Sequence, residues 1–313
     1  MQITTLDKIK EPVSFTVGAF DGIHLGHQRL LAELKNRSRA NRSASLVVSF
    51  DPHPRTVVNP DYKMELITTA DERAELIAAA GIDYLAIIPF TQDFSKLSPL
   101  EFYEKFLFNF IHPRYVLIGF NHAFGSGRSG TLELIRELAE RHSFEYGSLD
   151  AVDLLDSHIS STAIRNYLKE GAVLQAHRML GRPYSLSGRV IRGQQIGRSL
   201  GYPTANLMLH TPQKLIPAGG VYLTSVQTAE GLYYGMTNIG LNPTFPGKGH
   251  SIETHIFDFN NDLYDQSIRL SFLRRIREEQ KFLRVTDLVT TLKEDERRCR
   301  AILTQERHLQ TDI

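Results

Sequence analysis

Through the first half of the chain, short runs of β-branched and apolar residues alternate with stretches whose apolar positions recur at helical spacing. The runs are VSFTVGAF, SLVVSF, YLAIIPF and YVLIGF; the stretches are QRLLAELKNRSRA, TADERAELIAAA, SPLEFYEKFLFNFI and TLELIRELAERH. Near-continuous apolar runs suit strands buried on both faces, and the spaced segments suit the helices that bury them. This βαβα rhythm predicts an α/β unit with a doubly wound, Rossmann-like parallel sheet. Two more helical segments follow, SSTAIRNYLKEG and AVLQAHRMLG, with a serine/threonine entry and glycine exits.

After GRPY the pattern changes to strands and turns: YSLSGRVIRG, GVYLTSVQTAEGLYYGMTNIG, SIETHIFDF and QSIRLSFLRRI, with Glu230-Gly231 suited to a hairpin turn. A helical segment, VTDLVTTLKEDERRCRAILTQ, closes the chain. The second part is therefore expected to be a small antiparallel β-barrel with a C-terminal helix. The 313 residues exceed what one core usually organises. With the boundary near Gly181 to Pro183, the expected domains are 1–182 and 183–313.

Charge narrows the partners. The 36 basic and 35 acidic side chains leave a formal net charge of +1, so nothing suggests binding to nucleic acid or an anionic membrane, and a small-molecule substrate fits better. One cysteine, Cys299, forms no internal disulfide, which points to a reducing cytoplasm. Charged residues interrupt MQITTLDKIKEP, and no apolar run is long enough for a bilayer, so a soluble cytoplasmic protein is expected. A weak homo-oligomer is compatible with all of this.

Between the first apolar run and the first helix lies GAFDGIHLGH. His24 and His27 are three residues apart, which at a helix entrance puts both rings on one face. Gly18, Gly22 and Gly26 clear side chains from a backbone that a ligand could approach, and helix N–H groups favour an anion such as phosphate. Zinc is the weaker reading, because a third ligand is missing nearby. A glycine-rich turn with incidental histidines is the plain alternative.

FDPHP ends the second run, GFNHAFGSGRSG a later one, and ISSTAIR opens a helix. Each alone could be a turn, a connector or an N-cap. Together they would surround one crevice with N–H groups, hydroxyls, Asn121, Arg128 and Arg165.

In this order and at these intervals, G-x-F-D-G-x-H-x-G-H, F-D-P-H-P, G-x-N-x-x-F-G and S-S-T-x-x-R resemble the adenylyltransferase half of the bacterial bifunctional riboflavin kinase/FAD synthetase family. The resemblance implies an HxGH nucleotidyltransferase domain in which His24 and His27 contact ATP phosphates and stabilise charge as the α-phosphate is attacked. It implies that Asn121, Ser161, Thr162 and Arg165 hold the nucleotide, with Gly18, Phe20, Asp21, Gly22, Gly26 and Arg128 also counted as nucleotide-binding. His122 stands where the family often has Phe.

In the barrel half, GRSLGYPTANL has glycines at 197 and 201 that admit close backbone approach, so Gly197 and Gly201 are counted with the nucleotide site. Thr204 and Asn206 offer hard oxygen ligands that suit Mg²⁺ with phosphates. Alone, PTAN is more simply a polar turn before a strand. SIETHIFDF places Glu253 on an extended run, on one face with His255, Phe257 and Phe259. Beside PTAN, Glu253 becomes a candidate general base.

LGRPYSLSGRVIRG, GRSLGYPTAN, GVYLTSV, NIGLNPTF, ETHIFDFNNDLY and IREEQKF resemble the riboflavin kinase half of the same family. That resemblance implies that Thr204 and Asn206 help hold Mg²⁺ and ATP, and that Glu253 deprotonates the ribityl 5′-hydroxyl. Arg277, Glu279 and Phe282 lie where the family closes over the flavin; a salt-bridged helix entrance with one buried ring is their plainer reading. Asp265 stands where the family has the glycine of LYG.

The expected function is phosphorylation of riboflavin to FMN in the barrel and adenylylation of FMN to FAD in the α/β domain, with ATP as co-substrate and Mg²⁺ or another divalent ion. Alternatives are an adenylyltransferase with a silent barrel, a different HxGH transferase, or a flavin sensor without turnover.

Overall fold

The computed structural model describes residues 1–119, 132–150, 153–154, 157–193, 196–240 and 250–311, which form two compact units, Met1–Ala163 and Ile164–Ile313. In the first, six strands form one sheet: β1 (Gln2–Ile3), β2 (Pro12–Val17), β3 (Ala44–Asp51), β4 (Tyr84–Pro89), β5 (His112–Ile118) and β6 (Glu145–Ser148). Their spatial order is β1-β4-β3-β2-β5-β6, with every neighbouring pair parallel. The helices are α1 (Leu25–Ala40), α2 (Pro54–Val58), α3 (Ala70–Ala79), the single turn α4 (Pro99–Glu101) and α5 (Leu132–His142).

Alternation along each strand explains why the runs read as apolar throughout. Leu46, Val48 and Phe50 of β3 join Val116 and Ile118 of β5 on the face covered by Phe102, Leu107 and, from α5, Leu138. Val47, Leu85 and Leu117 enter the opposite layer with Leu30, Leu31 and Leu34 of α1 and Ile77 of α3. Both faces are therefore dry, as an all-parallel sheet requires.

SPLEFYEKFLFNFI is only briefly α-helical. Beyond α4 it widens into a π-helical stretch over Phe102–Leu107, in which the Phe108 amide reaches Tyr103 O at 2.9 Å. Apolar residues spaced by four or five positions fit either winding, so the pattern does not distinguish them.

A two-stranded ribbon, β7 (Asp153–Leu154) with β8 (Ser157–His158), precedes α6 (Ser161–Lys169) and α7 (Val173–Leu180). The second unit is built on a closed barrel of β9 (Tyr184–Ile191), β10 (Ala205–Leu209), β11 (Gly220–Thr228), β12 (Gly231–Gly240), β13 (Ser251–Ile256) and β14 (Ser267–Arg277). The order is β10-β13-β12-β11-β14-β9, antiparallel throughout, and β9 pairs with β10 to close it. The short helix α8 (Ile196–Ser199) lies between β9 and β10, and α9 (Val285–Thr311) ends the chain.

The β11–β12 turn is Ala229-Glu230, one residue earlier than the sequence suggests. Thr228 pairs with Gly231, which opens β12 at φ +142°, while Thr228 Oγ1 accepts the Glu230 amide at 3.1 Å. The glycine serves the strand entry rather than the turn itself.

Inside the barrel, Thr224, Thr237 and Thr254 link their hydroxyls at 2.8 and 2.9 Å, so three buried polar groups satisfy one another. On the outer face, Val221, Leu223 and Met236 pack with Cys299 of α9. Burial pushes the Cys299 thiol up to about 12, with Asp295 and Glu296 adding to the shift.

Candidate functional sites

GAFDGIHLGH leaves β2 at the carboxyl edge of the sheet, where ligands bind in folds of this type. The Gly18 amide continues the ladder to Val48 O at 3.0 Å, and the chain then turns through positive φ at Phe20 (53°), Gly22 (92°) and Ile23 (39°). A side chain at such angles is strained, so tertiary contacts must hold the loop.

Asp21 supplies them. Its buried carboxylate accepts the Ile67 amide at 3.0 Å, the Thr68 amide at 2.8 Å and the Thr68 hydroxyl at 3.1 Å, while Thr68 Oγ1 accepts the Gly22 amide at 2.8 Å. Arg73, 2% exposed, donates to Ala19 O and Phe50 O, both at 2.9 Å, and so ties the ends of β2 and β3 together. Burial lowers the Arg73 pKa, and Asp21 and Asp51 oppose that shift. Sequence reading missed Arg73 and Thr68; an arginine on the buried stripe of TADERAELIAAA was the available signal.

The two histidines meet as their spacing implies. His24 is the N-cap of α1, its Nδ1 accepting the His27 amide at 3.3 Å, and the rings stack with centroids 3.7 Å apart. Since that Nδ1 accepts, the neutral His24 ring carries its proton on Nε2. Phe20 meets the His27 ring edge-on at 5.1 Å. Desolvation, reinforced by His24, holds the His27 pKa well below its ordinary value. Two neutral rings beside a helix N-terminus form a donor surface for phosphate oxygens.

Gly26 lies in the first turn of α1, and Gly18 faces the Phe20 ring, 3.0 Å from where a Cβ would stand. Ser161 joins the same loop, its Oγ donating to Asp21 O at 2.8 Å. Thr162 is exposed on α6 and Arg165 is buried in the next turn. Asn121, His122 and Arg128 lie outside the described residues.

In the barrel, Glu253 of β13 pairs with Asn206 of β10 on one side and Asn238 of β12 on the other. Paired residues share a face, so the three form a row across adjacent strands. Thr204 Oγ1 donates to Glu253 Oε2 at 3.2 Å. Asn206 is buried, and a Cβ on Gly193 would come within 2.5 Å of its amide. Asn238 was not singled out from the sequence; its place in NIG carried the only signal.

Gly197 approaches Tyr202 O, where a Cβ would stand 2.3 Å away, and Gly201 turns at φ +81° in open space. Asp265 adopts φ +64°, the left-handed conformation that a glycine would take without strain. Phe257 follows the end of β13 as a buried ring, and Phe259 packs edge-on to Tyr233 at 4.9 Å.

Arg277 ends β14 and donates through Nε to the Asp295 carboxylate of α9, 2.9 Å from Oδ2. Its guanidinium carbon lies 5.8 Å from the Phe282 ring centroid. Glu279 stands beside Gly240, within 2.8 Å of where a Cβ would be, and so near Asn238, whose Nδ2 is 3.2 Å from the same point.

Residues 6–163 match the family described as FAD synthetase, and residues 180–303 match riboflavin kinase. A bifunctional riboflavin kinase/FMN adenylyltransferase of Buchnera aphidicola subsp. Schizaphis graminum is 36% identical, over 88% of this chain and 89% of its own. Proteins of the same description are 34% identical in Pseudomonas fluorescens, over 94% of both chains, and 31% identical in Escherichia coli K12, over 92% of this chain and 91% of its own. A solved structure described as a macrolide-efflux protein from Streptococcus pneumoniae superposes with a TM-score of 0.86 at 32% identity, covering 96% of this chain and 98% of that one. Among the described residues, no helix is long and apolar enough to cross a membrane.

Proposed function

The chain belongs to the bifunctional riboflavin kinase/FMN adenylyltransferase family, and from that premise we propose which of its residues perform the two ATP-dependent steps of flavin biosynthesis. Adenylylation of FMN to FAD falls to 1–182 and phosphorylation of riboflavin to FMN to 183–313.

In adenylylation the FMN phosphate attacks the α-phosphorus of ATP and pyrophosphate leaves. The nucleophile is already anionic, so catalysis comes from positioning and charge stabilisation. His24 and His27 donate hydrogen bonds to phosphate oxygens, while Asn121, Arg128, Ser161, Thr162 and Arg165 hold the nucleotide. Asp21 acts on the same site from behind, by holding the loop in its turn.

In riboflavin phosphorylation Glu253 takes the proton of the ribityl 5′-hydroxyl as that oxygen attacks the γ-phosphorus of ATP, the bond to the β,γ-bridging oxygen breaks and ADP leaves. Thr204 and Asn206 present the hard oxygens that a divalent ion such as Mg²⁺ prefers, and the ion, when bound with ATP, neutralises phosphate charge. Glu279, beside Gly240, borders the place for the flavin, with Arg277 and Phe282 on the same stretch of chain.

One observation carries the division of labour. The stacked histidine pair belongs to Met1–Ala163, and the Thr204–Glu253 contact belongs to Ile164–Ile313, so these two pairs stand on different scaffolds. The test is to incubate the purified chain with riboflavin, ATP and Mg²⁺ and separate the flavins by chromatography. FMN and FAD together are expected; FMN that never proceeds to FAD refutes the histidine assignment, and neither product refutes both.

A further inference from the structure

The proposed phosphoryl-transfer site depends on two segments far apart in sequence: the turn that carries Thr204, and β13, which carries Glu253. A contact of 3.2 Å between their side chains needs both segments held in register. Backbone pairing begins only at Ala205 and Asn206, opposite Thr254 and Glu253. Thr204 and the two residues before it lie outside that ladder.

His255 bridges this gap. Its Nδ1 lies 2.9 Å from Pro203 O, the carbonyl immediately before Thr204. A carbonyl only accepts, so Nδ1 carries the proton in this contact. The imidazole also meets the Tyr202 ring edge-on, with centroids 5.0 Å apart. Tyr202 is tied to α9 by packing in one apolar cluster with Cys299, and burial raises its pKa, with the nearby Glu296 carboxylate adding to the shift. Glu296 in turn accepts Arg300 Nε at 2.9 Å, and Arg300 grips the Asp258 carboxylate through two bonds of 3.0 Å just beyond β13. The turn before Thr204 is thus held from two sides, by β13 through His255 and by α9 through Tyr202.

We propose that His255 is a positioning residue of the phosphoryl-transfer site, donating from Nδ1 to the Pro203 carbonyl so that Thr204 meets both Glu253 and the bound nucleotide. This rests on the assignment of Thr204 and Glu253 to riboflavin phosphorylation. The ring acts through the peptide bond that joins Pro203 to Thr204.

Two substitutions separate the two ring nitrogens. An asparagine amide places a donor near Nδ1, whereas a glutamine amide places it near Nε2. In the full-length chain, His255→Asn should keep kcat for riboflavin phosphorylation within about threefold, while His255→Gln should lower it about tenfold or more with KM for riboflavin unchanged, the scale expected of a misplaced catalytic group. FMN adenylylation by the same preparations should not change. Equal kcat in the two variants, whether high or low, overturns the proposal, as does a kcat loss that tracks a lowered melting temperature in both. Glu253→Ala is assayed in parallel: if it still phosphorylates riboflavin, the assignment of Glu253 fails, whereas an inactive Glu253→Ala beside a fully active His255→Gln removes only the role of His255.

Discussion

The rings of His24 and His27 lie 3.7 Å apart and 16° from parallel, and the His27 amide donates to His24 Nδ1. Two cations cannot share so small a desolvated space at low cost. The pair therefore does not carry two charges at once, and His27 Nδ1, buried with no hydrogen-bond partner among the described residues, resists protonation.

The lowered His27 pKa has a consequence for stability. Below about pH 6.5 the unfolded chain protonates this histidine while the native protein does not, so stability present above that pH is lost as pH falls toward the native pKa. Urea melts of the first unit at about pH 7.5 and about pH 5.5 should show a larger loss in the wild type than in His27→Asn. Equal losses would mean that the ring is not held neutral.

His27→Ala should abolish FAD formation while FMN still accumulates from riboflavin. Glu253→Ala should do the reverse, lowering riboflavin phosphorylation by about 10²- to 10⁴-fold, the usual contribution of a general base, while supplied FMN is still adenylylated. Chromatographic separation of the flavins reads both outcomes, and a variant that loses both activities while remaining folded contradicts the division.

Asp21→Asn should destabilise the first unit. One carboxylate oxygen becomes an NH₂ group facing the donors of Ile67 and Thr68, leaving buried groups unsatisfied at about 1–3 kcal/mol. Denaturant unfolding measures this, and adenylylation should fall with it because the same carboxylate holds the loop before His24.

Gly193→Ala tests the barrel site with little cost to the fold. The added methyl meets first the end of the Asn206 side chain, 2.5 Å away, and that amide must shift. Stability should stay within about 0.5 kcal/mol, as for substitutions away from the core, while riboflavin phosphorylation falls. Unchanged phosphorylation would show that the position of Asn206 does not matter.

Much of the site was legible because its signals are local. A step of three positions from one histidine to the next at a helix entrance put both rings on one face, and the alternation in SIETHIF put Glu253 and His255 on one side of a strand. The carboxylate of Asp21 was legible only as part of a motif. Its partners lie 46 and 47 residues away in the chain, and no local pattern announces them. The same limit hid Arg73, whose guanidinium reaches carbonyls 54 and 23 residues away.

By itself the sequence determined the two architectures: apolar runs alternating with helical spacing could be buried only as a covered parallel sheet, and the short glycine- and proline-bounded strands only as an antiparallel barrel. Periodicity reports how one segment meets water, and it is sufficient for that. Only the tertiary structure decided that Asp21 braces a loop, that Arg277 is held by Asp295, that the hairpin turns one residue early, and that His255 holds the carbonyl before Thr204. Those contacts depend on strand register and on packing to within an ångström, and hydrogen bonds fall off too steeply with distance and angle for residue spacing alone to specify them.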